Sequence, residues 1–307
     1  MIKGTGFRGE FKKNRVLFFM LLPTVIYFFI FSYLPMTGLY LAFTRFNYDG
    51  GIFRSPFIGL ENFRFLVMSG DLYNITKNTI LYNLAFLVVG NVLQISTAIV
   101  LSELSGKYFK KITQSIMFLP YFISFVLLGA FVYGIFNFEF GLFNTILKSF
   151  QYKPVDVYAD TSAWKFILVA FNAWKGLGYG TVIYLAAIMG ISDDYYEAAK
   201  IDGANIFQQI RSITLPLLKP TFIILLMFSL GYILKGQFDL FYQIVGNTGN
   251  LFQATDIIDT YVFRSLIKSF DFGMGTAAGL YQSLFGFILI MVVNTLIRKV
   301  NEDYALF

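Results

Sequence analysis

The sequence predicts an all-α polytopic membrane protein with six transmembrane helices, and three observations support this prediction. Hydrophobic residues make up 57% of the 307 residues and charged residues only 14%, whereas a soluble domain has about 25% charged residues. The mean hydropathy is +0.64. Six separate stretches are largely apolar over about 20 residues or more, the length that a helix needs to cross a bilayer.

The six predicted spans lie at roughly 16–43, 78–104, 112–136, 163–190, 217–245 and 276–297. Lys12, Lys13 and Arg15 precede the first span, an arrangement that resembles a signal peptide. The apolar run is too long for a signal peptide and no clear cleavage site of small residues follows it, so we expect an uncleaved helix. We find no internal repeat and expect one membrane domain over residues 1–307.

The loops differ in positive charge, and this difference predicts the orientation. Lysine and arginine are more frequent in the N-terminal tail, the 105–111 loop, the 191–220 segment and the C-terminal tail than in the longer loops between them. By the positive-inside rule, both termini and the 191–220 segment are cytoplasmic. The outer loops are then 44–77, which is expected to contain a short interfacial helix, 137–162 and 246–275. The net charge of +6 is scattered among apolar segments and does not indicate nucleic-acid binding.

The chain contains no cysteine and no histidine. Disulfide bonds and thiolate metal sites are therefore excluded, and the commonest general base and metal ligand is missing. An enzymatic site would have to work with carboxylates alone. We therefore expect a chain without catalytic residues, without a metal site and without a cofactor of its own.

The cytoplasmic segment 193–211 has the pattern of one or two short helices. In "DDYYEAAK" (193–200), acids occupy the first turn, where they suit the positive end of a helix. Gly203 then interrupts the pattern, as a helix C-cap does. A second helix is indicated by one apolar stripe formed by Ile206, Ile210 and Ile213. Leu215-Pro216 is expected to end that helix and Pro220 to begin the next span.

Seven positions of this segment match a known pattern. Glu197-Ala198-Ala199, Gly203, Ile213 and Leu215-Pro216 fit E-A-A-x3-G-x9-I-x-L-P throughout. The chain therefore resembles the permease subunits of binding-protein-dependent ABC importers, which have this EAA pattern in the cytoplasmic loop before the penultimate span. The resemblance implies the MetI-like fold of type I importers, with a short helix that docks in a groove of a cytoplasmic ATPase. The coupling residues that it implies are Glu197, Ala198, Ala199, Asp202, Gly203, Ile213, Leu215 and Pro216.

The residue types of the segment suit such docking. Ala198 and Ala199 are small enough for a close approach, Gly203 permits a sharp turn, and Glu197 offers a charge for capping or for a basic group of a partner. The alternative is an ordinary solvated helical hairpin with Gly203 as its turn. The sequence has no G-x4-G-K-[ST] phosphate loop, so ATP and magnesium are expected on separate ATPase subunits.

Several apolar runs extend the resemblance toward carbohydrate importers. "LPYFISFVLLGAFVYGIF" (119–136), "AWKGLGYGTVIYLAAIMGI" (173–191), "ATDIIDTYVFR" (254–264) and "TAAGLYQSLFGFILIMVVNTLIRK" (276–299) are similar to the LplB-like group of oligosaccharide and polysaccharide-derived sugar permeases. The resemblance implies a permease core at 78–297, a peripheral first helix at 16–43 and a bacterial cytoplasmic membrane. It also implies a second related permease, two ATPase subunits and an extracellular or periplasmic sugar-binding protein.

Polar residues inside the predicted spans are candidates for a substrate pathway, because such groups are costly in a bilayer. Asn172, Trp174 and Lys175 are expected near the middle of the fourth span. Lys235 and Asp239 are four residues apart and are expected to share one helix face, within reach of each other. The alternative is that these residues only pack helices. The candidate pathway residues are Tyr133, Asn137, Asn172, Trp174, Lys175, Lys235, Gln237, Asp239 and Tyr281.

The sequence thus predicts a permease subunit that forms half of the pathway of an ATP-driven carbohydrate importer. One rival is a secondary transporter driven by an ion gradient, with Lys235 and Asp239 as its relay. That rival predicts transport without an ATPase and leaves the EAA pattern unexplained. Another rival is an intramembrane lipid or glycosyl transferase, which the absence of histidine and cysteine disfavours.

Overall fold

The computed structural model describes residues 11, 13–104, 106–231 and 233–300 and is dominated by helices. Within those residues the only β pairing is an isolated bridge between Thr44 and Phe57. Five helices are long and apolar enough to cross a membrane, and there are up to six crossings if two helices that meet at a sharp bend form one span. The predicted all-α class is confirmed.

Besides helical turns at Gly51–Arg54, Gly249–Leu251 and Phe252–Thr255 in the longer loops, the described residues form twelve main helices that follow one another along the chain. In chain order they are α1 Arg15–Phe43, α2 Glu61–Met68, α3 Asp71–Glu103, α4 Lys107–Phe122, α5 Phe125–Phe136, α6 Leu142–Ser149, α7 Thr161–Met189, α8 Asp193–Ile201, α9 Ile206–Gly231, α10 Phe238–Val245, α11 Ile258–Phe263 and α12 Phe272–Val300. The five apolar spanning helices are α1, α3, α7, α9 and α12. Helix α2 lies in the 44–77 loop, where a short helix is expected.

Helices α1 and α9 each contain one π-helical turn that is followed by Leu-Pro. The π turn Phe29–Tyr33 precedes Pro35, and the π turn Ile210–Thr214 precedes Pro216. Proline lacks the backbone N–H and crowds the carbonyl four residues before it, and a wider turn relieves both problems. The expectation that Leu215-Pro216 ends a helix is therefore wrong, because α9 continues through Pro216 and Pro220.

Two of the six predicted spans are not single helices. In the third, predicted at 112–136, α4 and α5 meet at 95° around Ile123 and Ser124. In the fifth, predicted at 217–245, α9 ends at Gly231 and α10 begins only at Phe238. Residues 233–237, which we call the broken segment, are not helical. The third span remains largely apolar through its bend, so hydropathy does not reveal it, whereas the fifth span has Lys235, Gly236 and Gln237 at its break.

Helix α7 lies at the centre of the packing and contacts α3, α4, α9 and α10. Its approach to α4 is close: a Cβ at Gly178 would lie 2.2 Å from the carbonyl oxygen of Met117. By contrast, α1 buries no side chain between Arg15 and Tyr33 within this chain. Only the end of α1, at Ala42, packs into a cluster with α2 and α12.

Candidate functional site

The EAA segment folds into a hairpin made of α8 and the start of α9. The hydroxyl of Ser192 caps α8 by accepting a hydrogen bond from the backbone N–H of Asp194 at 3.3 Å. Asp193 and Asp194 lie in the first turn of α8 and Lys200 in its last, so each charge has the sign that the helix end favours. The helix that the charge pattern predicts therefore forms as predicted.

Gly203 makes the turn between the two helices. Its φ is +78°, a left-handed conformation that glycine adopts readily and other residues rarely. The backbone N–H of Gly203 donates to the carbonyl of Lys200 at 3.1 Å, and that of Ala204 donates to the carbonyl of Ala199 at 2.9 Å. These two bonds form a Schellman C-cap. A Cβ at position 203 would meet nothing within 4 Å, so the backbone conformation, rather than lack of space, favours glycine here.

The second helix of the hairpin has its own cap and a link to the first. The side chain of Asn205 accepts from the backbone N–H of Gln208 at 3.0 Å, and the side chain of Gln208 accepts from the backbone N–H of Asn205 at 2.7 Å. This reciprocal arrangement is a capping box. The hydroxyl groups of Tyr196 and Thr214 are hydrogen-bonded at 3.0 Å. The hairpin is therefore held in one shape by contacts inside the segment.

The hairpin exposes an apolar surface that this chain does not cover. Ile201 is 87% exposed and Phe207 79% exposed. Ile201 shares a face of α8 with Glu197 and Ala198, which are also exposed. Of the remaining EAA positions, Asp202, Gly203, Leu215 and Pro216 are exposed, and Ala199 and Ile213 are half-buried. Exposed apolar side chains on an otherwise polar segment suit contact with another protein.

Three predicted pathway residues of α7 make contacts in three different directions. Asn172 contacts the residue that precedes α10, Trp174 lines a cavity between α7 and α3, and Lys175 contacts the end of α4. Helical geometry separates Trp174, because residues one or two positions apart point in different directions. Asn172 and Lys175 are three apart and share a face of α7, but they contact different neighbours along it. The expectation that they lie near the middle of one span holds, but they do not converge on one cavity.

Asn172 and Gln237 form a pair of amides beside the broken segment. Asn172 Nδ2 donates to Gln237 Oε1 at 2.6 Å. The bond uses one group of each amide, and the described residues supply no hydrogen bond to Asn172 Oδ1 or from Gln237 Nε2. Since Gln237 is exposed within this chain, the pair offers both an acceptor and a donor to a polar ligand.

Lys175 stabilises the bend between α4 and α5. Its Nζ donates to the carbonyls of Tyr121 at 2.9 Å, Pro120 at 3.4 Å and Ile123. These carbonyls lie at the end of α4, where most carbonyls lack an intrahelical donor and a positive charge is favoured. That of Pro120 also accepts from the backbone N–H of Ile123 at 3.2 Å. These contacts assign Lys175 to stabilising the bend, rather than to lining a cavity.

Trp174 lies on another face of α7. Its ring is stacked with that of Phe131, with 6.3 Å between centroids and 20° between planes. It also lines a cavity of about 1140 Å³ between α3 and α7, whose walls are mostly aliphatic and aromatic and whose other lining residues include Lys77 and Lys165.

The other three uncharged candidates contact residues other than the amide pair. Asn137 ends α5, and its Oδ1 accepts from the backbone N–H of Glu139 at 2.9 Å and of Phe140 at 3.1 Å. The hydroxyl of Tyr281 accepts from Thr76 Oγ1 at 3.2 Å. Tyr133 is exposed on α5, and its ring packs edge-on against Tyr158.

The predicted pairing of Lys235 with Asp239 on one helix face is wrong. Lys235 lies in the broken segment, and Asp239 lies in the first turn of α10. The helix that was to hold both residues ends at Gly231. Lys235 interacts electrostatically with Asp259 instead. The relay that the secondary-transporter alternative requires has therefore lost its structural basis.

Four polar side chains from four helices hold the broken segment. Non-helical backbone at membrane depth needs such partners, because lipid offers no hydrogen bonds. Asn83 of α3 donates from Nδ2 to the carbonyl of Ile233 at 2.9 Å, and Gln282 of α12 donates from Nε2 to the carbonyl of Leu234 at 2.7 Å. The other two are Asn172 of α7, on Gln237, and Asp259 of α11, on Gly236.

Sequence reasoning missed three of these four residues. Asn83 and Gln282 lie inside predicted spans, so the cost of polar groups in a bilayer could have marked them as it marked Asn172. Asp259 lies in a stretch predicted to be an outer loop, where a carboxylate is expected to be solvated and gives no signal of a function.

Residues 90–302 match the family of binding-protein-dependent transport system inner membrane components. The chain belongs to this family. The matched residues of this permease include the EAA hairpin, the bend between α4 and α5, and the broken segment.

Individual relatives agree with this membership. Protein LplB of Bacillus subtilis (strain 168) is 29% identical over 301 residues, covering 98% of this chain and 94% of LplB. The polygalacturonan/rhamnogalacturonan transport system permease protein YteP of the same organism is 31% identical over 291 residues, covering 95% and 90%. A chain in the crystal structure of a bacterial ABC transporter involved in the import of alginate superposes with a TM-score of 0.85 and 31% identity, covering 95% of this chain and 98% of that one. The permease fold that the EAA pattern implied is confirmed.

Proposed function

We propose that this permease is one of two related transmembrane subunits of an ATP-driven importer of oligosaccharides. Its family consists of components of binding-protein-dependent transport systems. Two of its relatives are named for the transport of polygalacturonan or rhamnogalacturonan and for the import of alginate, which are carbohydrates. A sugar-binding protein would deliver the substrate at the outer face, and this chain would form half of the pathway.

The coupling role rests on two features of the EAA hairpin, its internal helix caps and its exposed apolar side chains. Its turn and both helix starts are capped within the segment, and Ile201 and Phe207 remain uncovered. A rigid projection with an apolar tip suits docking into a groove of another protein better than it suits an ordinary solvated hairpin. The proposed occupant of that surface is a cytoplasmic ATPase, which binds ATP and magnesium on its own chain. The hairpin and both termini are then cytoplasmic.

The proposed contact with substrate is the amide pair of Asn172 and Gln237. Sugar hydroxyls need donors and acceptors together, and the pair supplies both beside a break in a span. The exposed ring of Tyr133 and the exposed Lys235 and Asp239 remain candidates for the same pathway. Lys175 is proposed to act through the bend that it stabilises.

Reconstitution with partner subunits tests the coupling role. We expect Gly203→Asp to abolish ATP-dependent sugar uptake and to reduce association with the ATPase at least tenfold, since an aspartate at φ +78° distorts the hairpin. Glu197→Lys should weaken association while leaving the hairpin folded. Unchanged uptake and unchanged association in both variants would refute the coupling role.

Gly70→Asp is the matched control for Gly203→Asp. Gly70 has a φ of +81°, and a Cβ there would also meet nothing within 4 Å. The backbone cost is therefore similar, but Gly70 precedes α3, at the end of that helix far from the hairpin. ATPase association should be unchanged in this control. Uptake driven by a proton or sodium gradient in the chain alone would instead favour a secondary transporter.

A further inference from the structure

The carboxylate of Asp259 lies beside the spanning helix α12, well inside its length. It contacts Gln282, which lies ten residues after the start of α12 at Phe272. At 1.5 Å per residue this is about 15 Å along the helix, about a third of the way through the span. Ionisable groups at such depth are costly and usually serve a function.

The carboxylate joins three parts of the chain through one oxygen atom. Asp259 Oδ2 accepts from the backbone N–H of Gly236 at 2.6 Å and from Gln282 Nε2 at 2.9 Å. The same Gln282 nitrogen donates to the carbonyl of Leu234 at 2.7 Å. Asp259 thus ties α11 to α12 and ties both to the broken segment, next to Gln237.

Burial makes a negative charge costly at this point, and nearby positive charge offsets part of that cost. Gly236 lies two residues before α10, whose N-terminal end carries a partial positive charge. Lys235 adds a full positive charge near the carboxylate. The fully buried carboxylate of this region, Asp256, is paired with Arg264 and hydrogen-bonded to Thr260. Of these two acids, Asp259 is therefore the one that binds the broken segment.

Gly236 allows the close approach. A Cβ at this position would lie 2.3 Å from Ile257 Cδ1 and 2.8 Å from Asp259 Oδ2, distances that real Cβ atoms do not show. Any larger residue would push the segment away from the carboxylate. The glycine and the aspartate therefore form one unit, although they are 23 positions apart in the sequence.

We propose that Asp259 is a positioning residue, which holds the broken segment through its hydrogen bonds and so sets Gln237 against Asn172. Asp259 acts on the substrate pathway through Gln237 and does not contact substrate itself. The proposal rests on the pathway role given above to Gln237.

Cross-linking measures the position of the segment without any transport assay. Because the chain contains no cysteine, the double variant Asn172→Cys/Gln237→Cys has only two thiols, which a short bifunctional methanethiosulfonate should join in membranes. We expect Asp259→Ala in that background to lower the yield about tenfold, the effect of losing hydrogen bonds to a half-buried carboxylate. An unchanged yield would overturn the proposal.

Asp259→Asn separates hydrogen bonding from charge. An amide oxygen in place of Oδ2 still accepts from Gly236 and Gln282, so we expect the cross-linking yield to stay within about twofold of the parent. A fall equal to that of Asp259→Ala would overturn the assignment to hydrogen bonds. Asp49→Ala removes an exposed acid whose side chain makes no hydrogen bond with the described residues, and it should leave the yield unchanged.

A second cysteine pair shows whether a variant is folded. Tyr196→Cys/Thr214→Cys replaces two residues whose side chains meet in the hairpin. A longer bifunctional methanethiosulfonate allows for the shorter cysteine side chains, and this cross-linking should not change with Asp259→Ala. In the reconstituted transporter with native Asn172 and Gln237, Asp259→Ala should lose uptake and Asp259→Asn should retain most of it. If the unmodified transporter imports no sugar, the proposed function fails, while the cross-linking result on Asp259 still stands or falls by itself.

Discussion

Asn172 and Lys175 lie one turn apart on α7, and each is hydrogen-bonded to a different broken span. Asn172 donates to Gln237 at 2.6 Å beside α10, and Lys175 donates to the carbonyl of Tyr121 at 2.9 Å at the end of α4. The same helix ends at Met189, only a few residues before α8 begins. One element thus connects both irregular regions of the membrane domain with the proposed ATPase contact.

Replacing Asn172 by leucine should separate ATP hydrolysis from sugar uptake. Leucine has a similar size but cannot donate to Gln237, so the pathway loses a polar contact while the EAA hairpin remains intact. We expect the reconstituted transporter to keep its ATPase rate within about twofold and to lose uptake by about tenfold or more, as for a lost polar contact of 1.4 kcal/mol. The measurement is the number of sugars imported per ATP hydrolysed. Equal losses of both activities would indicate a packing role for Asn172.

Replacing Lys175 by methionine should destabilise the bend between α4 and α5. Methionine keeps the length of the side chain but leaves the carbonyls of Tyr121 and Ile123 without this donor, while that of Pro120 keeps the backbone N–H of Ile123. A hydrogen bond to a charged group is worth about 1.5–3 kcal/mol, so we expect the apparent Tm in detergent to fall by roughly 3–6 °C. Lys165→Met, on the same helix, is the control and should change the Tm little, because Lys165 makes no such bonds with the described residues. Equal shifts in both variants would contradict the assigned role.

Replacing Arg264 by methionine should cost far more stability than the same change at Arg45. Arg264 pairs with Asp256, and the two side chains are 23% and 7% exposed. Removing one partner of a buried pair costs about 3–5 kcal/mol, because the other charge is left without compensation. Arg45 pairs with Glu61 at 3.3 Å on the surface, where ion pairs contribute little. Thermal unfolding of both variants measures the difference, and similar Tm values would show that Asp256 is not effectively buried.

Replacing Gly178 by alanine should disturb the packing of α7 on α4. The added Cβ would lie 2.2 Å from the carbonyl oxygen of Met117, so the helices must separate, and overpacking of this kind costs about 1–3 kcal/mol. Gly134→Ala is the matched control, since a Cβ there meets nothing within 4 Å. Size-exclusion chromatography after mild heating should show loss of the folded Gly178→Ala protein first. Equal survival of the two variants would contradict the close approach.

Local signals in the sequence were sufficient for the EAA hairpin. The acids of the first turn of α8, the C-cap at Gly203 and the start of a second helix are all determined by residues within a few positions of one another. The spans of α1, α3, α7 and α12 were equally predictable, because hydropathy over about 20 residues decides whether a helix can lie in a bilayer. The continuation of α9 through Pro216 was not predictable, because the π turn that accommodates the proline has no distinct amino-acid composition.

The sequence by itself thus determined the membrane-spanning class, the spans apart from their breaks, the EAA hairpin and, through its pattern, the family. Only the tertiary structure decided where the fifth span breaks and what holds the break. Its partners are distant in the sequence: Asn83 and Ile233 are 150 positions apart, and Asn172 and Gln237 are 65 apart. A backbone can leave the helix inside a membrane only where side chains from other helices satisfy its polar groups, and which side chains meet there depends on how the helices pack.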